Sequence, residues 1–305
     1  MKAIVFSGQG AQYVGMGKSF YDHSQEAKKI FSAVDEIAGL NIKAFCFEGP
    51  ESELKRTEIQ QLAILAVSLS GLEGYKSRFG LGEVRYFSGL SLGEYTCLYA
   101  SGVLSLEEVI ILVRERARAM ELASQRNPSS MLAVIGLAEE AVKEKQSVGF
   151  YVANINSPNQ VVISLSKDKK EEVKQVLKES GAKVMELQVN GGFHSPFMEE
   201  AKVNLIDVID RLHFKDAKIP IVSNVTAQAH SDAGQIKSNL INQLVSCVLW
   251  RGCIEYMVGR GVSSFIEIGP SKILTRMIQK IAPDVRVDNI EQNQDLENQR
   301  VEVED

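Results

Sequence analysis

Serine and histidine are the residues in this chain whose setting suits covalent chemistry. Gly89-Leu90-Ser91-Leu92-Gly93 reads G-x-S-x-G. A short apolar run precedes it (Val84, Tyr86, Phe87) and a helix-compatible run follows it (Tyr95, Leu98, Tyr99). Strand, serine and helix in that order form the context of a nucleophile elbow. Glycine fits on both sides, because a Cβ there would crowd the strand or the helix that leaves the turn. At a helix N-terminus, Ser91 would have free N–H groups beside it to stabilise a developing oxyanion. The pattern alone also arises by chance, so the flanking elements carry the reading. Of the four histidines (His23, His194, His213 and His230), His213 falls at a helix end and His230 in a polar loop. His194 follows Gly191-Gly192-Phe193, in a turn between two segments of different texture, where a cleft is expected. The plainer alternative is a surface-loop histidine. An imidazole that takes the serine proton would allow acyl transfer through an ester, splitting one hard step into two.

A third candidate comes from helical spacing. Ser105 followed by Glu107-Glu108 predicts a helix start, and the helix runs to about residue 125. Its period places Val109, Leu112, Val113, Arg116, Met120 and Ala123 on one stripe. Arg114 and Arg118 fall on the opposite face among glutamates. A guanidinium in the middle of an apolar stripe needs a carboxylate or several hydrogen bonds. A structural ion pair, a snorkelling side chain and a clamp for a substrate carboxylate all satisfy that need, and periodicity does not choose among them.

The elements that must position these residues read as an α/β protein. The chain has 305 residues, 45% of them hydrophobic and 24% charged, enough to bury a core. A net charge of −5 gives no overall basic footprint for nucleic acid. Four scattered cysteines without C-x-x-C point to buried thiols and not to a disulfide frame or a zinc site. The apolar run at Met1–Phe6 is too short for a signal peptide or membrane span, so a cytoplasmic location is expected. Strand 2–6 leads into Gly8-Gln9-Gly10-Ala11-Gln12, which matches neither a dinucleotide fingerprint nor a P-loop. Residues 24–38 and 58–79 have helical spacing. Residues 131–189 read strand, helix, strand, strand, helix, strand, the split-βαβ ferredoxin-like order. The expected organisation is therefore a large α/β subdomain at 1–126 and 191–290, a small inserted subdomain at 127–190, and a mobile acidic tail at 291–305.

At these motifs the chain resembles the malonyl-CoA:acyl carrier protein transacylase family of fatty acid synthesis, and is similar to polyketide synthase acyltransferases. The resemblance covers roughly residues 3–290. It is carried by Phe6-Ser7-Gly8-Gln9-Gly10-Ala11-Gln12, the Ser91 elbow with Glu94-Tyr95, and Arg116 with Met120. Further on it is carried by Asn154-Ile155-Asn156-Ser157-Pro158, Phe193-His194-Ser195, Val222-Ser223-Asn224-Val225 and Glu267-Ile268-Gly269-Pro270. The resemblance implies a hydrolase-like α/β core with a ferredoxin-like insert. It makes Ser91 the nucleophile, His194 the base, and the N–H groups of Gln9 and Leu92 the oxyanion hole. Arg116 would hold the malonyl carboxylate, and Leu90, Phe193, Asn154 and Met120 would line the acyl site. A backbone carbonyl near Leu249 would orient the imidazole in place of a carboxylate. Malonyl-CoA and acyl carrier protein would be the partners, with CoA and phosphopantetheine entering as parts of the substrates. Neither a metal nor a permanently bound cofactor is expected.

Three positions depart from the family's usual pattern: Leu90 where histidine is common, Leu249 where glutamine is common, and Ser7 where proline is frequent. Leu90 replaces an imidazole next to the nucleophile with an aliphatic group, which would favour a less polar acyl chain. An acyl-carrier-protein thioesterase of a polyketide pathway is therefore the main rival. A non-catalytic scaffold that binds carrier protein and a lipase-like esterase are the others. Arg116 weighs against the thioesterase, since an apolar acyl chain would leave its guanidinium unpaired.

Overall fold

A computed structural model describes residues 1–298. Its strands are β1 (Lys2–Phe6), β2 (Val84–Gly89), β3 (Ser129–Ile135), β4 (Phe150–Ser157), β5 (Gln160–Ser166), β6 (Lys183–Glu186), β7 (Ile221–Val222), β8 (Ala229–His230), β9 (Ser264–Ile268) and β10 (Arg286–Ile290). They form two sheets, ordered β10-β9-β1-β2-β7-β8 and β4-β5-β3-β6.

In the larger sheet every pairing is parallel except β7 with β8. The continuous apolar run Ala3-Ile4-Val5-Phe6 fits a central strand covered on both faces, and all four residues are fully buried. The long helix Thr57–Phe79 is buried around most of its girth and packs against β9, where Gly71 lies close to Ile268. The chain steps from β1 to β2 on one side and later returns to β9 on the other. In such sheets ligands gather outside the carboxyl ends of the strands at the point where the order switches. Phe6 and Gly89, the last residues of β1 and β2, are register partners there.

The smaller sheet is antiparallel throughout. Its order is the one a βαββαβ unit produces, with the helices Glu139–Lys143 and Lys170–Glu179 as its crossovers. Besides the two chain connections, a third tie joins it to the larger subdomain. Ile155 N–H donates to the Val248 carbonyl at 2.9 Å, and Val248 N–H to the Ala153 carbonyl at 2.8 Å. No described helix is long and apolar enough to cross a membrane.

Two expectations need correction. His230 lies on the short strand β8 and not in a loop, with its Nε2 2.8 Å from Thr226 Oγ1. The acidic C-terminal stretch is also not a tail from residue 291. Asn293–Asn298 is a helix, started by Asp295, whose carboxylate accepts from the Glu291 and Gln292 N–H groups. The cause is Leu296, an apolar side chain buried against the helix Thr57–Phe79, where Gly74 leaves it room. The rest of the expected tail, 299–305, lies outside the described residues. Leu296→Ala is expected to lower unfolding stability by about 2–3 kcal/mol, as for other buried leucines. Urea unfolding checks this; an unchanged midpoint would mean that the helix is not docked in solution.

Candidate active site

The elbow is held by close backbone approaches. A Cβ on Gly93 would lie 2.1 Å from the Phe6 carbonyl oxygen, and one on Gly89 2.1 Å from the Gly93 carbonyl carbon. Only glycine allows the helix Leu92–Ala100 to start this close to β1 and β2. Between the glycines, Ser91 has φ 53° and ψ −98°, a conformation that costs energy for any residue with a side chain. That geometry brings its hydroxyl to the face where Arg116 and the turn after Gly191-Gly192 come together.

His194 meets it there. Its Nε2 is 2.8 Å from Ser91 Oγ, and its Nδ1 is 2.8 Å from the Gln243 carbonyl oxygen. A carbonyl only accepts, so Nδ1 carries the proton and Nε2 presents its lone pair to the hydroxyl. His194 is buried and also has a positive φ, 56°. Burial pushes its pKa down to about 4; the Gln243 carbonyl works against that shift and Arg116 adds to it. The ring is therefore neutral near pH 7, as a general base requires.

The orienting carbonyl is Gln243 and not Leu249. Leu249 is the N-cap of the helix Trp250–Gly259, so its carbonyl already accepts the first intrahelical bond, from Cys253 N–H at 2.9 Å. Gln243 ends the helix Ala233–Gln243. Carbonyls at a helix C-terminus lack an intrahelical donor and carry the negative end of the helix dipole. Such a carbonyl can both fix the tautomer and stabilise a transient imidazolium.

Arg116 lies where the spacing put it, on the buried face of the helix Leu106–Arg126, which the Ser105/Glu108 capping box begins. Arg114 and Arg118 instead pair with glutamates at the surface. Arg116 is 1% exposed. It donates to Gln61 Oε1 at 2.6 Å, to Ser91 Oγ at 2.9 Å and to Gln243 Oε1 at 3.5 Å, and it lies over the Tyr95 ring. Every one of these acceptors is neutral. Among the described residues no carboxylate pairs with it; Glu94 is held on the far side of the Gln243 amide. Burial lowers the Arg116 pKa, with Tyr95 and Glu94 opposing the shift.

The other expected residues divide into two groups. Met120 is buried, and its sulfur accepts from Gln61, the same amide that holds Arg116. Phe193 is buried next to His194, and its carbonyl accepts from Ser164 of β5 at 2.6 Å. Leu90 packs on the apolar cluster of Val222, Val248 and Trp250 at the edge of the elbow. Gln9 reaches the site through its side chain, which accepts from Gln61 at 3.5 Å. No acceptor engages the backbone N–H of Gln9 or Leu92 among the described residues. Asn154 stands apart, on β4 beside the Val248 tie, with no hydrogen bond to Ser91, His194 or Arg116. Among the described residues, no three His, Cys, Asp or Glu side chains gather as a metal site would need.

Sequence reading missed Gln61 and Gln243. Gln243 had a signal: Ile236, Leu240 and Leu244 form a helical stripe, and Gln243 falls on it as Arg116 falls on its own. Gln61 had none, because its helix is apolar nearly all round.

An acyl transferase domain model matches residues 3–297. The malonyl CoA-acyl carrier protein transacylase of Bacillus subtilis (strain 168) is 37% identical over 286 residues, 92% of this chain and 90% of that protein. The crystal structure of an acyl-carrier-protein-S-malonyltransferase from Bartonella henselae superposes with a TM-score of 0.93 at 32% identity, covering 97% of each chain. A type II PKS acyl-carrier protein in complex with its malonyl-transacylase matches with a TM-score of 0.92 at 30% identity, over 98% of this chain and 99% of that one. With a likeness that runs nearly end to end in both sequence and structure, the chain belongs to the malonyl-CoA:acyl carrier protein transacylase family.

Proposed function

We propose that this chain transfers a malonyl group from malonyl-CoA to the phosphopantetheine thiol of acyl carrier protein through an ester on Ser91. One observation carries the choice of acyl group: a buried guanidinium 2.9 Å from Ser91 Oγ whose partners are all neutral. A malonyl carboxylate would give Arg116 the anion it lacks, by two parallel hydrogen bonds. It would also draw the guanidinium off Ser91 Oγ and so free that oxygen to attack.

The steps follow from the geometry. Ser91 Oγ attacks the thioester carbonyl as His194 Nε2 takes its proton. The Gln9 and Leu92 N–H groups receive the oxyanion of the tetrahedral intermediate. The intermediate collapses, the C–S bond breaks, and His194 returns the proton to the leaving CoA sulfur. The carrier-protein thiol then gives its proton to His194 and attacks the ester, and Ser91 recovers its own. CoA and phosphopantetheine serve as parts of the substrates, and the scheme uses no resident cofactor or metal.

Leu90 favours a second reading, since an aliphatic group beside the nucleophile suits an apolar acyl chain that the enzyme would hydrolyse from carrier protein. One assay separates the two. Purified protein is offered malonyl-CoA with holo acyl carrier protein in one arm, and acetyl and longer acyl carrier proteins in the other, with products read by mass. Malonyl carrier protein forming much faster than any hydrolysis is the expected result. Hydrolysis of apolar acyl carriers without malonyl transfer would replace the proposal with the hydrolase.

A further inference from the structure

Both backbone polar groups of Ser91 are gripped by side chains. Its N–H donates to Asn224 Oδ1 at 2.7 Å, and its carbonyl accepts from Gln243 Nε2 at 3.1 Å. Those two residues converge on one atom. Glu94 Oε2 accepts from the Asn224 backbone N–H at 3.0 Å and from Gln243 Nε2 at 2.7 Å. Glu94 is itself on the elbow helix, three residues beyond the nucleophile, and is 2% exposed. The Asn224 side chain also donates to the Gly89 carbonyl at 2.8 Å, so it spans the elbow from strand to nucleophile.

The chemistry of the Gln243 amide leaves one orientation. Its Nε2 faces two acceptors, Glu94 and the Ser91 carbonyl, and its Oε1 faces the Arg116 donor. A flipped amide would set oxygen against oxygen on one side and donor against donor on the other. From the same residue, the main-chain carbonyl holds His194 Nδ1. Gln243 therefore touches the nucleophile, the base and the arginine at once.

We infer that Glu94 is the positioning residue of this site: through one carboxylate oxygen it holds Asn224 and Gln243, which fix the strained Ser91 backbone and the direction of His194. What matters in this arrangement is the reach of an acceptor atom to two donors. A buried carboxylate needs donors whatever its role; here the donors are the two residues that clamp the nucleophile.

Two conservative variants separate reach from charge. Glu94→Gln keeps an oxygen at the same distance and removes the charge. Glu94→Asp keeps the charge and withdraws the oxygen by one methylene. The readout is covalent labelling of Ser91 by a fluorophosphonate, in which Ser91 Oγ attacks phosphorus, fluoride leaves and His194 takes the proton. E94Q is expected to label within about fivefold of the wild-type maximal rate, and E94D about 100-fold more slowly, the scale of a 1 Å misplacement. The half-saturating probe concentration should move by less than about threefold in both, since positioning acts on the chemical step. E94D labelling as fast as E94Q overturns the inference, and so does a loss that appears only in probe affinity.

Asn224→Ala cuts one arm of the clamp and leaves Glu94 in place. It should show the same drop in maximal rate, and wild-type labelling by N224A also overturns the inference, even if E94D does not fold. The inference rests on Ser91 being the nucleophile and not on the acyl group. A wild-type protein that labels at Ser91 but transfers no malonyl group would refute the proposed function and leave this inference standing.

Discussion

His194→Ala is expected to slow acylation of Ser91 by about 10⁶-fold, as when the base is removed from a serine–histidine pair. The size follows from the geometry. Nε2 is the group placed to take the Ser91 proton, and the carbonyl on Nδ1 fixes the tautomer that leaves Nε2 free. Burst kinetics with malonyl-CoA would measure the acylation step directly. A variant retaining a tenth of wild-type acylation would mean that another group takes the proton.

The low pKa of His194 gives a second signature on the wild-type protein. With a folded value of about 4, the base remains free down to that pH. Acylation kcat/KM should therefore show no His titration near pH 6.5, where an ordinary imidazole would lose its lone pair. Stability carries the same information with a definite sign. Between about pH 6.5 and 4 the unfolded chain binds a proton at residue 194 that the folded chain refuses, so stability falls as pH falls through this window. The shift corresponds to about 3 kcal/mol by pH 4, which His194→Gln would not lose. Comparing urea midpoints of the two proteins at pH 7 and pH 4.5 tests this; equal acid sensitivity would mean that the imidazole charges freely in the folded state.

The parts of this molecule that were legible in the sequence are those that depend on local pattern. Arg116 stood out because a 21-residue amphipathic helix gives its apolar stripe a clear direction, and a single cation on it is conspicuous. The small subdomain was legible because its strands and helices are short, bounded by their own turns and arranged in the βαββαβ order, even though β6 pairs back with β3 across the whole unit. The errors arose where tertiary packing decides. A carbonyl near Leu249 and the carbonyl of Gln243 are six residues apart and both adjoin helix ends. Only the folded chain shows that one belongs to a helix start, where it is already bonded, and the other to a helix end that points at the imidazole. The C-terminal helix was invisible for a related reason. Its composition is polar and acidic, and the single apolar side chain that docks it, Leu296, is matched to a gap at Gly74 more than two hundred residues away. Glu94 belongs to the serine motif, but nothing in its spacing from Ser91 says that its oxygen gathers residues 224 and 243.

Arg116→Ala is expected to reduce malonyl acylation by about 10³-fold while leaving an uncharged acyl group, such as acetyl from acetyl-CoA, transferred as well as or better than by the wild type. Removing one partner of a desolvated, hydrogen-bonded charge pair costs about 2–5 kcal/mol, and the malonyl carboxylate would be left without a partner in a dry site. Acetyl has no carboxylate to strand, and for it the wild-type guanidinium is a buried charge with nothing to neutralise it. The selectivity ratio therefore matters more than either rate. Arg116→Ala also removes the hydrogen bond to Ser91 Oγ and leaves the Gln61 and Gln243 amide oxygens without a donor. Whatever these changes do to the serine, they act on both substrates alike, so they cannot imitate a change in selectivity. Arg116→Lys refines the test. It keeps the charge but not the planar fork, and it should recover only part of the malonyl rate if two parallel hydrogen bonds are what the carboxylate receives. An equal loss on malonyl and acetyl would assign Arg116 to the upkeep of the serine, and the acyl group of this enzyme would have to be sought from Leu90 and its apolar surroundings instead.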